Sequence, residues 1–103
     1  MMRDKKRYLL ILFSHKLSCN PEDLKRDFMT EMMRAMGHTD YALSNLRIIS
    51  ISSDSMVARV NLAVLEKFVI STALVRSVSG MQVGFLTARS SGSIAGLSKK
   101  ASS

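Results

Sequence analysis

A chain of 103 residues with 47% hydrophobic content can bury one modest core of two packed layers and has no material for a second. Its 15 Lys and Arg outnumber 8 Asp and Glu for a formal charge of +7; that balance favours a polyanionic partner, nucleic acid first, because each cation set against a phosphate releases counterions, with solubility as the bland alternative use. The single cysteine, Cys19, excludes an internal disulfide, and the longest apolar run, Leu9 to Phe13, is far too short to span a membrane or form a signal-peptide core, so a cytoplasmic protein without a membrane partner is expected.

The chain opens with Arg3, Lys5, Lys6 and Arg7 around Asp4, and residues 1–6 read as a basic arm too polar to pack. Tyr8 to Phe13 follows as an apolar run without alternation, the pattern of a central strand buried on both faces. Asn20-Pro21-Glu22-Asp23 starts a helix: Asn20 caps, Pro21 occupies the position that needs no N–H, and two carboxylates meet the positive end of the dipole. Leu24, Phe28, Met32 and Ala35/Met36 form its apolar stripe, Gly37 supplies a left-handed stop, and His38 to Ser44 reads as a polar loop.

Leu46 to Ser52 is the second strand, and the Ser53-Asp54-Ser55 turn joins it to a third, Met56 to Leu62. There Met56, Ala58, Val60 and Leu62 face one way and Val57, Arg59 and Asn61 the other, which puts Arg59 on the open side of the sheet. Ala63 to Ser79 reads as a helix that is apolar round much of its circumference, with Ile70, Leu74 and Val78 along one side. Two readings stay open: that side faces the protein's own core, or a second protein covers it. Gly80 stops the helix, Met81 to Arg89 is the last strand, and Ser91-Gly92-Ser93-Ile94 opens a short final helix before a small-residue tail at 101–103.

Strand, helix, strand, strand, helix, strand closes most simply as an α+β, ferredoxin-like domain. That is a split βαβ arrangement, a four-stranded antiparallel sheet with two helices on one face, here with the short C-terminal helix added. One such domain accounts for residues 1–103.

Enzymatic chemistry needs convergent groups, and the sequence presents none. His15, Cys19 and His38 lack zinc-ligand spacing, no Ser has a nucleophile-elbow context, and Glu22, Asp23, Asp27 and Glu31 share one helix as a solvated face. No catalytic residue and no metal or cofactor site is assigned. RNA-recognition motifs stack bases on aromatics of their first and third strands, but Met56 to Leu62 has no aromatic, so contact is expected with phosphates and RNA shape. The turn at Ser91, Gly92 and Ser93, with Arg89 before it and Lys99 and Lys100 after it, combines free helix N–H groups with cations. A phosphate fits there; an ordinary N-cap also explains the Ser and Gly.

Four stretches in order carry a family resemblance: Arg3-Asp4-Lys5-Lys6-Arg7-Tyr8, Met56-Val57-Ala58-Arg59-Val60-Asn61, Ala73-Leu74-Val75-Arg76 and Ser91-Gly92-Ser93-Ile94. Together they resemble ribonuclease P protein component 2 in its archaeal form, a family with counterparts in eukaryotic ribonuclease P and ribonuclease MRP. The resemblance implies a non-catalytic RNA-binding subunit that supports the catalytic RNA as it removes 5′ leaders from precursor tRNA. Its partners would be the ribonuclease P RNA, precursor tRNA indirectly, and the TIM-barrel protein component 3, two copies of each protein forming a heterotetramer. No cofactor would sit on the protein, magnesium being held by the RNA. RNA contact would fall to Arg3, Lys5, Lys6, Arg7, Arg59, Arg89, Ser91, Gly92, Ser93, Lys99 and Lys100, and protein contact to Ile70, Leu74 and Val78. The family carries basic residues where this chain has Met81 and Ala95, which shifts the burden at that edge to Arg89, Lys99 and Lys100. The competing reading is a ferredoxin-like regulatory or assembly domain that pairs through its apolar helix and binds no RNA.

Overall fold

The structure, a computed structural model, describes residues 5–18, 20–78 and 80–93. Strand β1 (Lys6–Phe13) begins two residues before the apolar run because Lys6 and Arg7 already pair with Asn61 and Val60. It is central, as the sequence implied, but it alternates: Leu9 and Ile11 are wholly buried and Phe13 nearly so, while Tyr8 and Leu10 are half-buried and Leu12 is exposed. Burial on both faces is therefore overturned. One side of the strand packs on helices, and the other faces out.

Helix α1 (Pro21–Met36) forms as its start signals require, with Asn20 Oδ1 accepting from the Glu22 N–H at 2.8 Å. Leu24, Phe28, Met32 and Met36 are its buried stripe. Gly37, at φ +88°, carries the chain past the helix end, a backbone angle that a Cβ would strain. The segment beyond it is not a loop. His38–Ser44 is a second helix, α2, which starts with Asp40 in its first turn and ends on Asn45 in the left-handed conformation. Tyr41 packs against the core from this helix, and that tertiary contact orders a stretch whose polar ends read as a loop.

β2 (Arg47–Ile51) and β3 (Ser55–Asn61) follow, then a 3-10 turn (Leu62–Val64) leads into α3 (Leu65–Leu74). The third helix ends five residues before its expected stop at Ser79. Val75 is extended, and β4 (Ser77–Val78) pairs antiparallel with β5 (Met81–Gln82). Gly80, at φ +77°, serves the turn of this small hairpin instead of ending a helix. The β-branched Val75, Val78 and Val83 are buried there, so the tertiary core rewards an extended path over helix continuation. The last strand, β6 (Phe85–Ser91), starts after Gly84 and includes Ser90 and Ser91, which were expected to open a helix; the expected C-terminal helix lies outside the described residues.

The four long strands form one antiparallel sheet in the order β2-β3-β1-β6, the ferredoxin-like arrangement. Its inner face, with Leu9, Ile11, Phe13, Met56, Ala58 and Val60, meets α1 and Phe68 of α3 in a continuous core. Phe85 ties the layers together: its ring lies 5.3 Å from Phe13, edge-on, and 5.0 Å from Phe28 of α1. Both edge strands carry a register shift opposite their neighbours, at Ile49 in β2 and Ala88 in β6. Such bulges twist edges away from further pairing.

Because Phe28 is fully buried at this junction, Phe28→Ala is expected to cost about 3–5 kcal/mol, a large part of the stability of a domain this size. Urea unfolding followed by circular dichroism checks it: the midpoint should fall with an unchanged slope.

Candidate nucleic-acid interface

Directly opposed residues of antiparallel strands share a face, so the register assigns the outer surface of the sheet residue by residue. One row reads Arg47, Arg59, Tyr8, Ser91 across β2, β3, β1 and β6; the next reads Ser50, Val57, Leu10, Arg89. Lys6 stands opposite Asn61 at one end of the face, and Leu12 opposite Leu86 towards the other, 39% and 65% exposed respectively. The surface thus grades from basic and aromatic to apolar.

Its charge is unbalanced by construction. The sheet strands carry Lys6, Arg7, Arg47, Arg59 and Arg89, and no Asp or Glu. The carboxylates among the described residues lie on α1, α2, α3 and the β2–β3 turn. The ion pairs form within the helical layer: Arg26 with Asp23 at 3.0 Å and Asp27 at 3.7 Å, Arg34 with Glu31 at 3.4 Å, and Lys67 with Asp40. Among the described residues, no carboxylate pairs with Arg47, Arg59 or Arg89. Arg47 and Arg59 face each other across adjacent strands, a like-charge pair that opposes folding. The Arg59 Nε is also buried without a hydrogen-bond partner. A native fold tolerates such costs most readily where a ligand removes them.

Lys6 and Arg7 belong to β1 and are held. Lys6 donates to Asn61 Oδ1 at 2.8 Å, and Asn61 in turn donates to the Leu43 carbonyl at 2.6 Å. Lys5 is exposed and ties the arm to α3's approach through its carbonyl, which accepts from Leu62 N at 2.7 Å. Arg7 reaches the bend after β6: its Nη1 lies 3.8 Å from where a Cβ on Gly92 would sit. The Arg7 guanidinium and the Ser91-Gly92-Ser93 bend, far apart in sequence, therefore meet. Ser91 is the last strand residue, and its Oγ accepts from the Ser93 N–H at 3.3 Å; the helix expected to follow lies outside the described residues. Arg3, Lys99 and Lys100 lie outside the described residues.

Arg89, in β6, stands opposite Leu10 on the same sheet surface as Arg59. Arg47 and Tyr8 were missed as site residues. Arg47 was legible as the second residue of a strand with β3 as neighbour, and Tyr8 was hidden by reading β1 as doubly buried. On the helical side Ile70 and Leu74 are 63% and 61% exposed, but Val78 is 2% exposed in β4, so it leaves the proposed protein face and belongs to the core. Burial pushes the pKa of the Tyr41 phenol on α2 up from its ordinary value. Among the described residues no group of three or more His, Cys, Asp or Glu side chains is placed to hold a metal ion, and no helix is long and apolar enough to cross a membrane.

A chain in a yeast ribonuclease particle has a similar fold. In the cryo-EM structure of yeast ribonuclease MRP, the match has a TM-score of 0.62 at 12% identity and covers 90% of this chain and 78% of that one. At that identity the likeness is one of fold. No protein-family model and no curated protein matches the sequence.

The opposed arginines generate a paired prediction. Arg47→Thr should raise stability by about 0.2–1 kcal/mol at low ionic strength, a gain that fades as salt screens the pair. If this face takes a nucleic acid, the same change weakens that binding and flattens the plot of log affinity against log salt by up to about 0.9 for a duplex or about 0.7 for single strands. Melting at low and high salt and a binding titration over salt measure the two effects.

Proposed function

We propose that the chain is a non-catalytic RNA-binding subunit of a ribonuclease P-type ribonucleoprotein, which supports the catalytic RNA in removing 5′ leaders from precursor tRNA. The observation that carries the reading is the outer face of the sheet, whose strands hold no carboxylate and where Arg47, Arg59 and Arg89 stand without ion-pair partners among the described residues. The fold shared with a chain of yeast ribonuclease MRP supports it, as do the four sequence stretches that resemble ribonuclease P protein component 2.

In this role the protein's contribution is electrostatic. A folded RNA brings phosphates together at a repulsive cost, and a fixed array of guanidinium groups lowers it, so less magnesium is needed to reach the active RNA conformation. Cleavage itself would belong to magnesium held by the RNA, and the protein's cations would set the register of the RNA against the sheet. The exposed pair Ile70 and Leu74 on α3 is the surface proposed for the TIM-barrel component 3, with self-pairing inside a cytoplasmic heterotetramer. That same pair favours a second reading, a pairing domain that binds no RNA.

Reconstitution separates them. Added with component 3 to a ribonuclease P RNA, the protein should raise the rate of precursor-tRNA cleavage at limiting magnesium and lower the magnesium midpoint; no gain would favour the pairing domain. The nuclease-free protein alone should cleave nothing, and magnesium-dependent cleavage by it would overturn the non-catalytic role. Replacing Ile70 and Leu74 with Gln should weaken binding to component 3 by tenfold or more, on the order of 1.4 kcal/mol, while the melting curve and the RNA salt slope stay as in the parent. Unchanged partner affinity would remove α3 from the interface.

A further inference from the structure

We infer that the outer face binds a single-stranded stretch of RNA, with one base stacked on Tyr8 and the neighbouring phosphates held by Arg59 and Arg47 on one side and Arg89 on the other. The inference rests on the RNA-binding role proposed above and narrows it to a ligand class and a site. Sequence reading alone expected no base stacking, since β3 lacks an aromatic. The structure alters that premise at β1, where alternation turns Tyr8 outward on the central strand, half-buried, between Arg59 of β3 and Ser91 of β6.

The surroundings of the ring fit a base. Ser91, its neighbour on β6, is small, while Leu10 and Val57 in the adjacent row supply an apolar floor beside the ring. Arg59, directly opposite Tyr8, presents a second planar group that can stack on a base or bind the phosphate beside it. From Arg47 on one edge strand to the β6 edge strand of Arg89 the array spans three strand spacings, roughly 14 Å, so its cations bracket the ring. A duplex keeps its bases stacked inside the helix and cannot offer one to Tyr8; an unpaired segment can. With a single ring on the face, the site takes one stacked base and shows little sequence preference, because every base has a π-face.

The test uses the full chain and two probes: a single-stranded RNA octamer carrying 2-aminopurine, and a 16-base-pair RNA duplex. Tyr8→Leu keeps an apolar side chain at the strand position but removes the ring. It should lower octamer affinity about 5- to 100-fold, abolish the 2-aminopurine quenching seen with the parent protein, and leave duplex affinity and both salt slopes unchanged. Tyr8→Phe should behave as the parent. Arg59→Gln should weaken both probes and flatten the octamer salt slope by about 0.7. Circular-dichroism melts come first, and Tyr8→Thr, a smaller strand former, replaces Tyr8→Leu if the latter melts early. Parent-like octamer binding by the ring-less variant, or an equal loss on both probes, would overturn the stacking site. Binding of the duplex alone by the parent protein would also sink it while leaving the proposed function standing. Binding of neither probe would take down both.

Discussion

The structure depends on covering one face of its sheet with helices while, among the described residues, no helix covers the other. α1 and α3 lie on the same side, where Leu9, Ile11, Met56, Ala58 and Val60 are buried against Phe28, Met32 and Phe68. A sheet packed on one side must sort its side chains by twos, since successive Cβ atoms point to opposite faces. Every residue that is out of phase with the core is thereby committed to the outer surface, and the register then fixes its neighbours. The row Arg47, Arg59, Tyr8, Ser91 follows from the core's demand for Ala58 and Leu9 as much as from any selection on the row itself.

The same division separates the charges. Carboxylates favour helix starts and exposed helix faces, where Glu22 and Asp23 meet the dipole of α1 and neighbouring arginines hold the acids one turn away. Among the described residues, the charged groups that the strands place on the outer face are cations. A mixed surface would have let Arg47 or Arg59 find a partner within the chain; here the repulsion between them persists and the Arg59 Nε stays buried and unpaired. A polyanion on this face would relieve the repulsion between Arg47 and Arg59, which links the packing of the core to the class of molecule the surface suits.

Edge strands complete the arrangement. The register shift at Ala88 gives β6 one extra residue against β1, and strict alternation from Phe85 would otherwise have turned Arg89 towards the helices. The bulge places it opposite Leu10 on the outer face. A device that discourages strand addition at the edge therefore also aims an arginine. Beyond it, Leu12 and Leu86 make the far end of the face apolar, so the surface has a polarity of its own from Lys6 to Leu86.

Much of this was legible in the chain. Asn20-Pro21-Glu22-Asp23 marked the start of α1, the period of Met56, Ala58 and Val60 oriented β3 and with it Arg59, and the order of elements called for the ferredoxin-like sheet. These are local signals, set by caps, backbone angles and side-chain period, and they act before any long-range contact exists. Other features had no local mark. Leu9 to Phe13 is equally apolar whichever face is covered; the described helices pack on one side alone, which leaves Tyr8 and Leu12 on the other. Val75 and Val78 left the helix because a hairpin about Gly80 buries them better than continued helix would. The Ala88 bulge and the meeting of Arg7 with Gly92 likewise depend on which strand lies beside β1. Local signals in the chain set α1, the four long strands and the excess of positive charge; tertiary packing decided α2, the hairpin about Gly80 and which side chains share a surface, because register and coverage are properties of strand pairs and layers, not of any single segment.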